Sequence, residues 1–340
     1  MDQYIIFNCQ PQGSFQERIQ QLHHTLSQYL LDEAGKGRVL QYCKIFLSDA
    51  QNQYQQLVES ELYQDILSKT ASTIVEQTPL NGSKLSVLIK TSDSKVPFLF
   101  HSLRLTEEEA KCNNSYLETM MLFEKYIKLI KEAGLDMKKH CVRTWIYVSD
   151  IDNNYNGVVK ARNDVFQRYG LSIDTHFIAS TGIGGNSHVR NAFVAMDFLT
   201  YPEIDEHDKM YLKALDHLSP THEYGVAFER GTRLSLPDKK MYFISGTASI
   251  DKYGHVIYLG NLKKQTDRLL ENIHALLQEG GSSMNDICYF IIYLRDISDY
   301  QATEEYMKEH YPNTPYIIVH AKVCRPEWLI EMECIAEKSN

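Results

Sequence analysis

Apolar residues recur at helical spacing in three well-separated stretches of the chain. Gln16 to Leu31 aligns Ile19, Leu22, Leu26, Tyr29 and Leu30, and Tyr116 to Glu132 aligns Leu117, Met120, Met121, Phe123, Ile127 and Ile130. Gln265 to Glu279 does the same with Leu269, Leu270, Ile273, Leu276 and Leu277. Steps of three and four residues predict amphipathic helices. After each comes a polar break with glycine (Gly35-Lys36-Gly37, Ala133-Gly134, Gly280-Gly281) and then a dense apolar run. The runs from Val39, Cys141 and Ile287 predict strands, and they end alike in Ser48-Asp49, Ser149-Asp150 and Arg295-Asp296.

β-rich segments precede each helix: Tyr4 to Phe7, Pro97 to Phe100 and Met241 to Ile250. A further helix and strands follow each central strand, most clearly at Ala302 to His310, Tyr316 to Cys324 and Trp328 to Ala336. Any α+β chain alternates such elements, but matching order, matching endings and matching length favour a true repeat. A third of 340 residues is about 113, a common domain size. The expected units are residues 1–93, 94–215 and 216–340.

Composition narrows the function. With 43% hydrophobic and 23% charged residues, the chain is that of a folded globular protein. No apolar run approaches the roughly 18–20 residues that span a bilayer. The start, Met1-Asp2-Gln3-Tyr4, lacks the pattern of a signal peptide. Seven Cys without a CxxC pair encode neither a disulfide framework nor a zinc site. The expectation is a reduced, cytoplasmic protein with no membrane partner. A net charge of −9 argues against a nucleic-acid partner, so an anionic ligand would need a local cluster of arginines.

The third stretch carries a family resemblance. Ser245-Gly246-Thr247-Ala248-Ser249-Ile250, the Gln265 helix, Tyr293-Leu294-Arg295-Asp296 and Glu331-Met332-Glu333-Cys334-Ile335-Ala336 resemble the YjgF-type (Rid) family over about Tyr242 to Glu337. The first two units look like degenerate copies. The resemblance implies an α+β fold in which each unit is a β-sheet packed on two helices. It also implies sites between neighbouring units, so three in one chain would form a pseudo-trimer that needs no partner copy: a monomer. Thr181-Gly182-Ile183-Gly184-Gly185, Tyr224-Gly225 through Arg230-Gly231, and Val323-Cys324-Arg325-Pro326 through Glu331 further resemble the chorismatase branch, which removes pyruvate from chorismate.

Candidate site residues follow. Glu331 and Glu333 lie two apart on a predicted strand and share one face. A carboxyl buried among Trp328, Ile330, Met332 and Ile335 would have its pKa raised and could act as a general acid. By resemblance, Glu331 aligns with the family's catalytic carboxylate. Arg230, Arg295 and Arg325 are the candidate anion clamp, since guanidinium forks suit carboxylates; Arg233 reads as a surface arginine. Cys324 reads as a packing residue that lines the pocket. Gly246 and Thr247 end a strand where backbone N–H groups could hold an anion or a water, or simply form a plain turn, and Tyr224 belongs to the chorismatase-like segment. Gly182 to Gly185 lacks the Lys-Ser/Thr of a phosphate loop and reads as a tight turn between units. The dispersed His217, His222 and His320 predict no metal site.

Rid imine hydrolases carry an Arg directly after the Pro before the penultimate strand. Here Tyr316 follows Pro315, which weakens that activity. The expectations are a chorismatase-like enzyme acting on a small chorismate-like anion without cofactor, then a Rid-type imine or enamine hydrolase, then a non-catalytic metabolite-binding protein.

Overall fold

The computed structural model describes residues 2–94 and 98–340, apart from the side chain of Tyr224. Pro97 therefore lies outside the described residues. The first unit runs β1 (Gln3–Asn8), α1 (Phe15–Gly35), β2 (Val39–Leu47), α2 (Ala50–Val58), β3 (Ala71–Glu76), β4 (Thr78–Pro79) and β5 (Leu85–Ser92). The second runs β6 (Leu99–Leu103), α3 (Ser115–Glu132), α4 (Met137–His140), β7 (Cys141–Val148), α5 (Ile151–Arg168), β8 (Ala179–Gly184) and β9 (Val194–Thr200). The third comprises β10 (Lys209–Leu212), β11 (Gly231–Ser235), β12 (Lys239–Ala248), α6 (Leu262–Glu279), β13 (Ile287–Leu294), α7 (Tyr300–His310), β14 (Tyr316–His320) and β15 (Ile330–Ser339). Because β10 pairs with β11, Lys209–Leu212 joins the third sheet, ahead of the expected division at 215/216.

The three sheets share one plan. Their cores are ordered β1-β5-β2-β3, β6-β9-β7-β8 and β12-β15-β13-β14. Each has a register shift near the start of its second strand, at Leu40/Tyr42, Cys141/Arg143 and Ile287/Tyr289. For two of the three strand-ending Asp residues the local cause is a helix cap, which Asp150 does not make. Asp49 caps α2 by accepting from the Asn52 N–H, and Asp296 accepts from the Ser298 N–H. Helices cover the outer faces: α6 lays Leu269, Ile273, Leu276 and Leu277 against β12 and β15. None of the helices among the described residues is long and apolar enough to cross a membrane.

The units close into a ring through equivalent backbone contacts. Gly184 N–H donates to Lys322 C=O (2.9 Å), and Glu76 and Asn186 exchange backbone bonds of 2.9 and 3.1 Å. β14 meets β4 with His320 opposite Thr78. Second thus touches third, first touches second, and third touches first. A Cβ on Gly184 would sit 2.8 Å from the Lys322 nitrogen, so this approach requires glycine.

Inner sheet faces meet at the centre of the ring and bury charge. Glu333 of the third unit accepts from Arg143 Nη2 (2.9 Å) and Trp145 Nε1 (2.8 Å) of the second. Lys44 of the first lies 3.9 Å from the same carboxylate and 5.2–5.6 Å from the rings of Phe46, Trp145 and Tyr147. A second buried cluster joins the first and third units. Asp2 pairs with Lys90 (2.5 Å) and Lys239, and Glu337 accepts from Lys239 (2.9 Å) and the Tyr4 hydroxyl (2.5 Å). Burial alone would raise the Asp2 carboxyl, but Lys90 and Lys239 more than offset it and hold it well below the usual range.

This cluster makes ring closure measurable. Lys239→Ala should destabilise the protein by about 2–3 kcal/mol, less than the roughly 3–5 for an uncompensated buried charge, because Lys90 remains. Asp2 has a depressed folded pKa, so its stabilisation is complete above its unfolded value of roughly 4 and is lost as pH falls below it. Urea unfolding of both proteins between pH 2 and 7 should show a gap that narrows toward acid.

Candidate active site

A cavity of about 340 Å³ opens between the second and third units. α5 supplies Tyr155, Asn156 and Arg162, and β8 supplies Ser180, Thr181 and Gly182. The third unit contributes Phe228, Arg230, Gly246, Cys324, Arg325, Trp328 and Glu331. An irregularity in β12 brings the walls together. Its pairing with β15 shifts register between Ile244 and Thr247, leaving Ser245 and Gly246 free to bond across the unit boundary. The Ser180 N–H donates to Ser245 Oγ and the Gly246 N–H to Thr181 Oγ1, both at 2.9 Å.

Glu331 lies opposite Tyr293 on β15, only 5% exposed, with its carboxyl against Gly246. A Cβ at position 246 would stand 2.1 Å from Glu331 Oε1, so only glycine leaves room for this side chain. Burial, then the charge of Glu333, pushes the Glu331 carboxyl up to about 8, while Arg143 and Arg230 pull it down. The carboxyl is therefore protonated at neutral pH. Thr181 Oγ1 accepts from both Gly246 N and Arg143 Nη2, so its own hydroxyl proton is available to the cavity.

Three arginines line the same space. Arg162 is 1% exposed, and its Nε and Nη2 have no hydrogen-bond partner among the described residues. Its guanidinium lies 5.7 Å from the Phe228 ring, and that of Arg230 lies 5.3 Å from the same ring. Arg230 Nη2 donates to Ser219 C=O (3.0 Å). Arg325 stacks 4.8 Å from the Trp328 ring and donates to Gly254 C=O (3.0 Å). A buried guanidinium without acceptors is costly unless an anion completes it.

Of the sequence-predicted residues, Glu331, Arg230, Arg325, Gly246 and Cys324 come together here. Arg295 does not. It bonds Asp152 of the second unit (2.6 Å) and Val323 C=O (2.8 Å), so its charge is spent on the unit boundary. Thr247 pairs opposite Met332, and its hydroxyl donates to Ser245 C=O, away from the cavity lining. The side chain of Tyr224 lies outside the described residues. Burial, then Glu331, pushes the Cys324 thiol up to about 12, which makes it a neutral wall. Gly182 and Gly184 belong to β8 rather than to a turn, because their missing side chains admit Tyr155 and the Lys322 backbone.

Sequence reasoning missed Arg162. The signal was present: Val158, Arg162, Val165 and Phe166 lie on the buried face of α5, where an arginine has no structural reason to be.

Among the described residues, the other units do not repeat this site. Shared registers put Ser86 and Ala195 where the third unit has Glu331. Between the first and second units, Arg104 donates to Thr73 Oγ1, Ile74 C=O and Asp197, each at 2.9 Å.

Sequence comparison bears on residues of the third unit. The Ribonuc_L-PSP family, described as Endoribonuclease L-PSP, matches residues 232–338. A RutC family protein of Pyrococcus abyssi is 38% identical over 98 residues, 28% of this chain and 77% of that protein. The 3-aminoacrylate deaminase RutC of Acinetobacter baylyi is 30% identical over 96 residues, again 28% of this chain and 76% of the relative. Across the whole fold, a chorismatase crystal structure superposes with a TM-score of 0.65 at 18% identity, covering 87% of this chain and 92% of its own. The chain belongs to the YjgF/RutC (L-PSP) family, and its three-unit fold is that of the chorismatase.

If Arg162 serves a ligand rather than the fold, Arg162→Met should leave the free protein as stable or more stable, by up to roughly 4 kcal/mol, because a buried unpaired charge is removed. The stabilisation that a small dicarboxylate gives the wild-type protein in a thermal melt should disappear. Loss of stability in the absence of ligand would assign Arg162 to the fold.

Proposed function

We propose that this member of the RutC family is a chorismatase-like enzyme that releases pyruvate from chorismate or a related enolpyruvyl acid. The observation that supports this most is a buried, protonated carboxyl, Glu331, facing a cavity that also holds Arg162, Arg230 and Arg325. Three guanidinium groups suit a ligand with two carboxylates, and 340 Å³ admits a six-membered ring. They also supply locally the attraction that an acidic chain cannot supply by its net field.

The arginines bind and orient the substrate. Glu331 transfers its proton to the terminal methylene carbon of the enolpyruvyl ether, leaving an oxocarbenium-like centre at the ether carbon. Water, deprotonated as it adds, forms a hemiketal; its C–O bond to the ring then breaks, giving pyruvate and the ring alcohol. Substrate plus one water equals the two products, and a proton returns to Glu331. An internal hydroxyl capturing the same centre would release pyruvate with a different ring product. The oxocarbenium forms beside Glu331 once that carboxyl has become an anion, which stabilises the developing charge.

The relative named for 3-aminoacrylate gives a second reading, enamine deamination, which likewise starts with protonation of an alkene carbon, there the CH beside the carboxylate. Tyr316 after Pro315 and a cavity with three arginines favour the enolpyruvyl acid. We also propose that the chain acts as a monomer, because each unit's neighbours are supplied in cis. Sedimentation should then give a mass near 39.3 kDa.

Incubation with chorismate and a coupled pyruvate assay tests the function. Pyruvate release supports it; silence with ammonia release from aminoacrylate supports deamination, and silence with both leaves a binding protein. Glu331→Gln keeps the shape without the proton, so turnover should fall by about 10²- to 10⁴-fold. With Glu331 as general acid, kcat/KM should be flat below about pH 8 and fall above it, as the acid form disappears.

A further inference from the structure

Behind Phe228 lies a second cavity of about 140 Å³. Phe228 and Arg230 line both spaces and so form the partition between them. The second cavity is less than half the size of the first and has room for a three-carbon acid. Its polar lining is unlike that of a packing void. Ser219 is 1% exposed, yet its hydroxyl has no hydrogen-bond partner among the described residues. The Ser219 carbonyl meanwhile holds Arg230 Nη2 at 3.0 Å, so hydroxyl and guanidinium lie on neighbouring walls. Lys213 adds a cation to the lining.

The remaining titratable groups are His176, His222 and Glu229. His176 is buried, stacks on Tyr211 at 4.5 Å and has Nδ1 on the Phe177 carbonyl (2.8 Å). Glu229 Oε1 accepts from the Phe177 N–H (2.8 Å). Burial disfavours charge on both, lowering His176 and raising Glu229, while Lys213 pulls Glu229 back down. Ile173 and Leu215, both more than half exposed, give the cavity an apolar mouth to solvent, separate from the first.

We propose that the cavity behind Phe228 is a second binding site, for a small monocarboxylate, held by Arg230, Lys213 and the Ser219 hydroxyl. Arg230 then serves both spaces: it holds a carboxylate of the larger ligand in the first and receives the released acid in the second. The identity of that acid as pyruvate rests on the function proposed above; the site itself rests on Ser219, Lys213 and the shared arginine.

Pyruvate binding to the intact protein, followed by calorimetry or ligand-observed NMR, tests this without any turnover. Pyruvate should bind the wild-type protein, and Ser219→Ala and Lys213→Ala should each weaken it by about three- to ten-fold, the worth of one hydrogen bond or exposed charge. Arg162→Met, which alters the first cavity alone, should leave pyruvate affinity unchanged. Affinity lost in Arg162→Met but kept in Ser219→Ala and Lys213→Ala would place the acid in the first cavity and overturn the proposal. So would absence of pyruvate binding, even if chorismate is turned over. Pyruvate bound behind Phe228 in a protein inert toward chorismate would leave the second site standing and overturn the catalytic function instead.

Discussion

Glu333 is the point on which the rest of the molecule depends. One carboxylate of the third unit satisfies the Arg143 guanidinium and the Trp145 indole of the second and faces Lys44 of the first. Charges buried this deeply are tolerable only with their partners in place, so closing the ring and neutralising the centre are one event. Specificity of assembly follows. A unit shifted along its neighbour would leave Arg143 or Lys44 unpaired in an apolar interior, at a cost of several kcal/mol.

The candidate site inherits its electrostatics from that centre. Strand alternation puts Glu331 on the same face as Glu333, two residues away. Burial first, and then the charge of Glu333 beside it, disfavours a second carboxylate, so Glu331 keeps its proton. The structural ion pair thereby helps to prepare an acid. The β12 irregularity completes the arrangement, because Gly246 leaves the volume that the Glu331 carboxyl fills and also binds Thr181 across the boundary. In the first and second units the equivalent positions hold Ser86 and Ala195, so the same ring geometry carries no acid there.

Much of this was legible in the sequence where local pattern governs the outcome. Three amphipathic helices, three strands ending in Asp and the Glu-x-Glu pair follow from periodicities of 3.6 and 2, and each formed where its spacing placed it. Residues whose role depends on another unit were harder to place. Arg295 sits beside a turn, where loop-borne site residues often lie, but Asp152, distant in sequence, claims it. Thr247 turned away because a register shift, invisible to simple alternation, precedes it in β12. Arg162 was not singled out from the sequence; a guanidinium on an apolar helical face was the clue.

The central claim is that Glu331 is held as a neutral acid inside the cavity, and its titration tests this most directly. ¹³C NMR of protein labelled at glutamate Cδ, compared with Glu331→Gln, isolates a single carboxyl. A resonance that is missing from the variant and titrates near pH 8 is the predicted result. Titration of that resonance in the ordinary range of roughly 4–5 would mean a charged carboxylate at neutral pH and would contradict the account.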